Sequence, residues 1–244
     1  MVTPPEDQPD ATVVAALARA RDRVLERIAA ACDRVGRDAT EVTLVAVTKT
    51  LSVERIRAGV AAGLTILGEN RVQEAEAKVD AVAGATWHLA GPLQSNKARR
   101  ALETFDVIES VDSLALARRL DRLLEEAGSD RRRPILLQVN VDDDPAKSGY
   151  VPADLVRDLP ELAILGRLEI RGLMTVGRLV DRPEDARETF VALREVSERI
   201  RSRAAGEIQL GSDLSMGMTD DFEVAIEEGA TIVRVGRALF GERS

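Results

Sequence analysis

Apolar positions recur along this chain with two periods that alternate. From Val13 to Val35 they fall at helical spacing, at Val13, Leu17, Val24, Leu25, Ile28, Ala31 and Val35, and Gly36 supplies a stop. That pattern predicts a long amphipathic helix before any strand. The next run, Val42–Thr48 (VTLVAVT), is short, apolar and rich in β-branched residues, as a strand requires. A helical pattern over Thr50–Ala62 follows, with Ser52 as the candidate N-cap.

The alternation then repeats. Strand patterns fall at Thr65–Leu67, Trp87–Ala90, Val107–Val111, Pro134–Val141, Ile170–Val176, Ile208–Leu210 and Ala230–Val235. Helical patterns fall between them, at Asn70–Val82, Asn96–Leu102, Leu114–Ala127, Pro152–Leu159, Pro183–Arg203 and Phe222–Glu228, and Arg237–Phe240 begins a last one. The strands are apolar at both parities, as strands covered on both faces must be. Strict alternation implies a parallel sheet. Eight such units in this length predict an α/β fold, a closed (β/α)8 barrel of the TIM type with an extra N-terminal helix. An open doubly wound sheet is the alternative. No Pro/Ser-rich linker divides the chain, so a single domain over 11–244 is expected, after a disordered Pro- and acid-rich tail at 1–10.

Composition narrows the partners. Charged residues make up 31% and hydrophobic residues 45% of the 244 residues, an ordinary soluble balance. The formal net charge is −8 and aromatics are 2%, which argues against nucleic acid, since a phosphate backbone is repelled and few rings can stack on bases. No apolar run approaches membrane-spanning length and no signal-peptide core is visible. Cys32 is the only cysteine, which suits a reducing cytoplasm. His88 is the only histidine and cannot build a multi-histidine metal site, so a satisfied core position is expected for it. The run Asp142-Asp143-Asp144 lacks a cation-ligand spacing and reads as a solvated loop.

In such a barrel, reacting groups sit at the C-terminal ends of the strands. The first strand runs out at Lys49, in register by twos with Thr43, Val45 and Val47. A lysine there is either partly desolvated, which favours the neutral amine that imine formation needs, or snorkels to solvent. On the last strand Arg234 shares a face with Ile232 and Gly236, and it either meets a ligand or pairs with an acid. Gly236 opens a loop into a short helix, and backbone amides at a helix start attract anions. The segment Ser212–Asp221 reads as the loop after strand seven, where small and hydroxylated residues can form an anion nest, or where Thr219 or Asp220 caps the next helix. Asn70, after the second strand, faces the mouth or caps its helix. An amine, a phosphate cradle and an arginine in one mouth suggest pyridoxal 5′-phosphate.

Seven segments, in order, carry a resemblance. They are Leu44–Thr50 (LVAVTKT), Gly68–Glu74 (GENRVQE), Trp87–Lys97 (WHLAGPLQSNK), Gln138–Gly149 (QVNVDDDPAKSG), Arg171–Met174 (RGLM), Leu214–Asp221 (LSMGMTDD) and Val233–Gly241 (VRVGRALFG). The chain resembles the pyridoxal phosphate homeostasis proteins, alanine-racemase-like single barrels of fold type III. The resemblance implies that Lys49 carries pyridoxal 5′-phosphate as a Schiff base and that Arg234 contacts the pyridine nitrogen. It implies that Ser215, Met216, Gly236 and Arg237 bind the phosphate, mainly through backbone amides. Asn70 joins these as a candidate cofactor contact. Many relatives carry Ser or Thr where this chain has Arg237, so a hydroxyl contact is lost there.

The resemblance further implies a non-catalytic carrier that acts in vitamin B6 and amino-acid homeostasis. Apoenzymes that use pyridoxal phosphate are candidate recipients. A monomer is expected, because racemases of this barrel type add a second domain that builds their dimer. An amino-acid racemase is the alternative, and it needs a base on each cofactor face, for which Tyr150 and His88 are the residues to test. A cofactor-free Schiff-base aldolase is a third reading.

Overall fold

A computed structural model describes residues 9–178, 180–203 and 210–241. The first helix, α1 (Ala11–Arg34), is capped by Asp10, whose carboxylate accepts from the amide of Thr12. Asp10 is therefore part of the helix start, and the rest of the expected tail, up to residue 8, lies outside the described residues. Leu17, Ala20, Val24, Ile28, Ala31 and Cys32 form the buried face of α1. Leu25 and Val35, counted with that face from the sequence, are exposed. Burying Leu17, Val24 and Ile28 contributes roughly 1.5–3 kcal/mol each.

The strands are β1 (Thr43–Val47), β2 (Ile66–Glu69), β3 (Thr86–Leu89), β4 (Val107–Val111), β5 (Arg133–Gln138), β6 (Leu168–Met174), β7 (Asp213–Met218) and β8 (Ile232–Val235). Each pairs in parallel with the next, and β8 closes on β1. Between them run α2 (Val53–Ala61), α3 (Val72–Val79), α4 (Ala98–Thr104), α5 (Leu114–Glu126), α6 (Pro152–Ala163), α7 (Arg187–Arg203), α8 (Phe222–Glu227) and α9 (Arg237–Phe240). The expected closed (β/α)8 barrel with an extra N-terminal helix is what the chain forms.

Two cores result. The larger lies between strands and helices and includes Ala46, Leu67, Leu89, Leu137 and Val233. The smaller fills the barrel interior with Val45, Leu136, Met174 and Ile232. α1 packs on α2, α8 and α9. It is tied to α8 by Arg27, which stacks over Phe222 at 4.5 Å and donates to Glu223 at 2.6 Å.

The seventh strand is the clearest departure from the sequence pattern. It was expected at Ile208–Leu210, of which residues 208 and 209 lie outside the described residues and Leu210 is not in a strand. The strand is Asp213–Met218, the segment read as the following loop. Ser, Met and Gly are poor strand formers, so neither composition nor alternation marks it. A shift in register against β8 between Ser215 and Met218, with Gly217 at φ 90°, lets so irregular a segment hold its place.

Candidate functional site

Lys49 stands at the corner of a tight turn at the end of β1. The ladder runs one residue beyond the strand, with Thr48 N–H donating to Gly68 O at 2.9 Å. Leu51 N–H then donates to Thr48 O at 3.1 Å, so Lys49 and Thr50 are the two central residues. Thr50 has φ 66°, a left-handed conformation that a β-branched residue rarely adopts. Lys49 keeps the parity of Val45, which lies in the barrel interior, and it is half-buried. Ser52 caps α2 as expected, accepting from Arg55 N–H at 3.4 Å.

Arg234 sits on β8, the neighbour of β1, at the level of Val45. It is buried inside the barrel. Its two terminal nitrogens donate to Ser215 Oγ at 2.5 Å and to Thr175 O at 2.8 Å. Ser215 Oγ in turn donates to Glu109 Oε2 at 2.6 Å, and the other carboxylate oxygen meets His88 Nδ1 at 2.6 Å. Four inward-facing residues from β3, β4, β7 and β8 thus form one buried polar chain beneath the mouth. A carboxylate only accepts, so Nδ1 carries the hydrogen of this bond.

The charges in this chain support one another. Burial alone would push the Glu109 carboxyl up, but the bond from His88, the charge of Arg234 and the hydroxyl of Ser215 hold it below the usual glutamate value on balance. Burial pulls Arg234 below the usual arginine value, against the opposing pull of Glu109 and Asp221. A guanidinium stays protonated in proteins even so. Of the two alternatives left open for Arg234 from the sequence, the acidic partner is present in Glu109, 3.9 Å away.

The rim between β7 and β8 offers anion donors. Gly236 N–H donates to Thr219 Oγ1 at 3.3 Å, which puts a hydroxyl beside a helix-opening amide. Asp221, whose carboxyl is raised by burial, accepts from Met218 N–H at 2.6 Å and shapes the bend. Arg237 is exposed and pairs with Asp220, so its guanidinium is engaged at the surface. Ser215 and Met216, expected in the loop, lie within β7 instead. The Ser215 hydroxyl is committed to Glu109 and Arg234, and the Met216 side chain is buried in the outer core. Asn70 is half-buried just past β2, with its backbone packed so close to Gly91 that a Cβ on that glycine would come within 2.1 Å of Asn70 O.

The structure thus gathers Lys49, Asn70, Arg234, Gly236 and Arg237 at the C-terminal end of the barrel. Glu109 and Thr219 were not proposed as site residues from the sequence. The signal for Glu109 was a lone acid in the mostly apolar VIESV strand. Tyr150 lies in the outer core, away from the interior residues, and burial pushes its phenol well above the ordinary tyrosine value. His88 is satisfied by Glu109, as a core histidine should be. Among the described residues no cluster of three His, Cys, Asp or Glu is placed to hold a metal ion, and no helix is long and apolar enough to cross a membrane. Asp142, expected in a solvated loop, is mostly buried and accepts from Thr189 Oγ1 at 2.6 Å.

Comparison with known proteins gives a consistent set of likenesses. The family model "Alanine racemase, N-terminal domain" matches residues 24–244. A pyridoxal phosphate homeostasis protein from Synechocystis sp. is 42% identical over 205 residues, covering 83% of this chain and 92% of the relative. The protein of the same name from Escherichia coli is 38% identical over 230 residues, 91% of this chain and 94% of the relative. Among solved structures, PipY of Synechococcus elongatus with PLP bound has a TM-score of 0.77 and 42% identity, covering 89% of this chain and 100% of that one. An alanine racemase from Clostridium difficile shares the barrel alone, with a TM-score of 0.66 at 14% identity and 59% of its length covered.

Proposed function

The chain belongs to the family of the pyridoxal phosphate homeostasis proteins, and from that premise we propose that it binds pyridoxal 5′-phosphate at the mouth of its barrel as a carrier. The observation that carries this reading is the buried Arg234, fixed by Ser215 and Thr175 at the inner face of the site, next to the strand that ends in Lys49. The donor set fits the cofactor. Lys49 would hold its aldehyde carbon, Arg234 would face its ring nitrogen, and Gly236, Thr219 and the amide of Arg237 would hold its phosphate. Asn70 would line the opening. When bound, pyridoxal phosphate supplies an aldehyde that condenses with amines and a pyridine ring that withdraws electrons.

Arg234 also favours carriage over catalysis. Its proton stays on the guanidinium, so a pyridine nitrogen held against it would stay unprotonated and would withdraw electrons weakly. Neither Tyr150 nor His88 is well placed to act as a second acid or base. Tyr150 is buried in the outer core, and burial raises its phenol pKa further above neutral pH. His88 is held by Glu109. The protein on this reading is a cytoplasmic monomer that hands its cofactor to apoenzymes that need it.

The test is the visible absorption of the purified protein before and after borohydride reduction, with peptide mapping of the labelled lysine. A band that is absent in Lys49→Ala, and a label on Lys49 alone, are expected. Sustained exchange of an amino-acid α-proton, lost in Tyr150→Phe or His88→Ala, would favour a racemase instead.

A further inference from the structure

A second polar cluster lies on the outer side of β1 and β2, beneath α3, and it grips the turn that presents Lys49 from both sides. Lys78, on α3, is buried. Its ammonium donates to Thr48 O at 3.0 Å, to Glu69 Oε1 at 2.7 Å and to Glu74 Oε1 at 3.0 Å. Thr48 Oγ1 donates to the same oxygen of Glu69 at 2.7 Å. Glu74 Oε1 also accepts from the backbone amide of Thr50. One ammonium is thereby bonded directly to the residue before Lys49 and, through one carboxylate, to the residue after it.

This arrangement answers a local cost. Thr48 O is the acceptor that closes the turn, and Thr50 occupies its third position at φ 66°, where glycine or asparagine is usual. A β-branched residue persists there only if its surroundings over-determine it. Charge-assisted bonds from a buried ammonium and to a partly buried carboxylate are strong enough to do so. A lone buried ammonium would be costly, and the three acceptors around Lys78 explain why it is tolerated.

Resting on the proposed binding of pyridoxal phosphate at Lys49, we propose that Lys78 is a positioning residue: acting with Glu74, it fixes the Thr48–Leu51 turn so that the Lys49 amine is held toward the mouth. It touches no reacting atom. Loss of the grip frees the turn and lowers the capture of the cofactor without opening the barrel.

The experiment compares wild type, Lys78→Met, Glu74→Ala and the double variant Lys78→Met/Thr50→Gly. Glu74 is partly exposed, so Glu74→Ala breaks the Thr50 anchor without emptying a buried site and keeps the test open should Lys78→Met fail to fold. Amide hydrogen exchange of the apo-proteins is read at Lys49, Thr50 and Leu51, and pyridoxal phosphate affinity by titration of the visible band. Both single variants should exchange about tenfold faster at the turn than elsewhere in the barrel and bind about tenfold more weakly, the size expected for one charge-assisted bond. Glycine takes a positive φ without strain, so the double variant should recover part of that affinity. Wild-type affinity in both single variants would overturn the proposal, as would faster exchange spread evenly over all strands. If wild type itself takes up no pyridoxal phosphate, the functional reading falls, while exchange in the apo-proteins still decides whether Lys78 holds the turn.

Discussion

Glu109 and Arg234 face each other across the barrel interior, 3.9 Å apart, and share the hydroxyl of Ser215. Neither charge would be stable there alone, since an unpaired ion in such a site is costly. Together they make the floor of the mouth a fixed, polarised surface. Arg234 is thus aimed before any ligand arrives, which spares the ligand the cost of ordering a long side chain.

That pairing predicts the effect of Glu109→Gln. The amide keeps the shape and can still meet Ser215, but it removes the larger of the two opposing charges on the guanidinium and leaves only Asp221. Breaking one partner of a buried pair costs about 3 kcal/mol. Denaturant unfolding should show that loss, and titration with pyridoxal phosphate should show weaker binding. A variant as stable as wild type would mean that Arg234 is neutralised elsewhere.

Acid titration separates Glu109 from Glu69. Glu109 is held below the ordinary glutamate value of 4.5, so the stability it contributes is present above that pH and is lost as pH falls through the folded value. Glu69 is shifted the other way, because burial outweighs its bonds from Lys78 and Thr48. Its contribution is full below 4.5 and is lost as pH rises through the folded value. Between about pH 6 and about pH 3, the gap in stability between wild type and Glu109→Gln should therefore narrow. The gap between wild type and Glu69→Gln should widen over the same range. Chemical denaturation at several pH values measures both slopes.

The rim of β7 has a steric constraint that gives a third prediction. Gly217 has φ 90°, and a Cβ built on it would lie 2.6 Å from Ala225 Cβ and 2.9 Å from Phe222 Cα. Gly217→Ala should cost at least about 2 kcal/mol, from strain at a positive φ added to overpacking. Gly84 also has a positive φ, 77°, but nothing lies within 4 Å of a Cβ there. Gly84→Ala should cost only about 1 kcal/mol, the backbone share alone. Thermal unfolding of the two variants checks the difference.

Much of this arrangement is legible in the sequence because burial is two-sided in a parallel barrel. Short apolar runs between helical patterns marked the strands, and β4 and α9 begin and end where the pattern places them. Its place at the end of an apolar run put Lys49 at the mouth, and the alternation of β8 set Arg234 on the face opposite Thr231, Val233 and Val235. The strand Asp213–Met218 was not legible, since its Ser, Met and Gly residues mimic a loop and only pairing with β6 and β8 makes it extended. Glu109 was visible as the one acid of a mostly apolar strand, but its partners come from β3, β7 and β8, and no local pattern joins them. The Lys78 cluster was hidden for the same reason. Its members Thr48, Glu69, Glu74 and Lys78 meet only once α3 folds back over β1 and β2.

The hydroxyls of Ser215 and Thr219 are used differently, which separates their expected roles in the proposed binding of the cofactor. The resemblance implies a phosphate contact for Ser215 mainly through its backbone amide, and its Oγ is bonded to Glu109 and Arg234 inside the barrel. Thr219 Oγ1 instead accepts from the Gly236 amide at the rim. A hydroxyl that supports the arginine should matter equally for pyridoxal and for pyridoxal phosphate, since both carry the ring nitrogen. A hydroxyl that meets the phosphate should matter for the phosphorylated form alone. Ser215→Ala is therefore expected to weaken both ligands by about tenfold, the equivalent of one charged hydrogen bond. Thr219→Ala should weaken pyridoxal phosphate by a similar factor and leave pyridoxal unchanged. Parallel titrations of the two aldehydes with each variant make the comparison. If Ser215→Ala affects only the phosphorylated ligand, its hydroxyl turns away from Glu109 on binding, and the rim assignment to Thr219 is wrong.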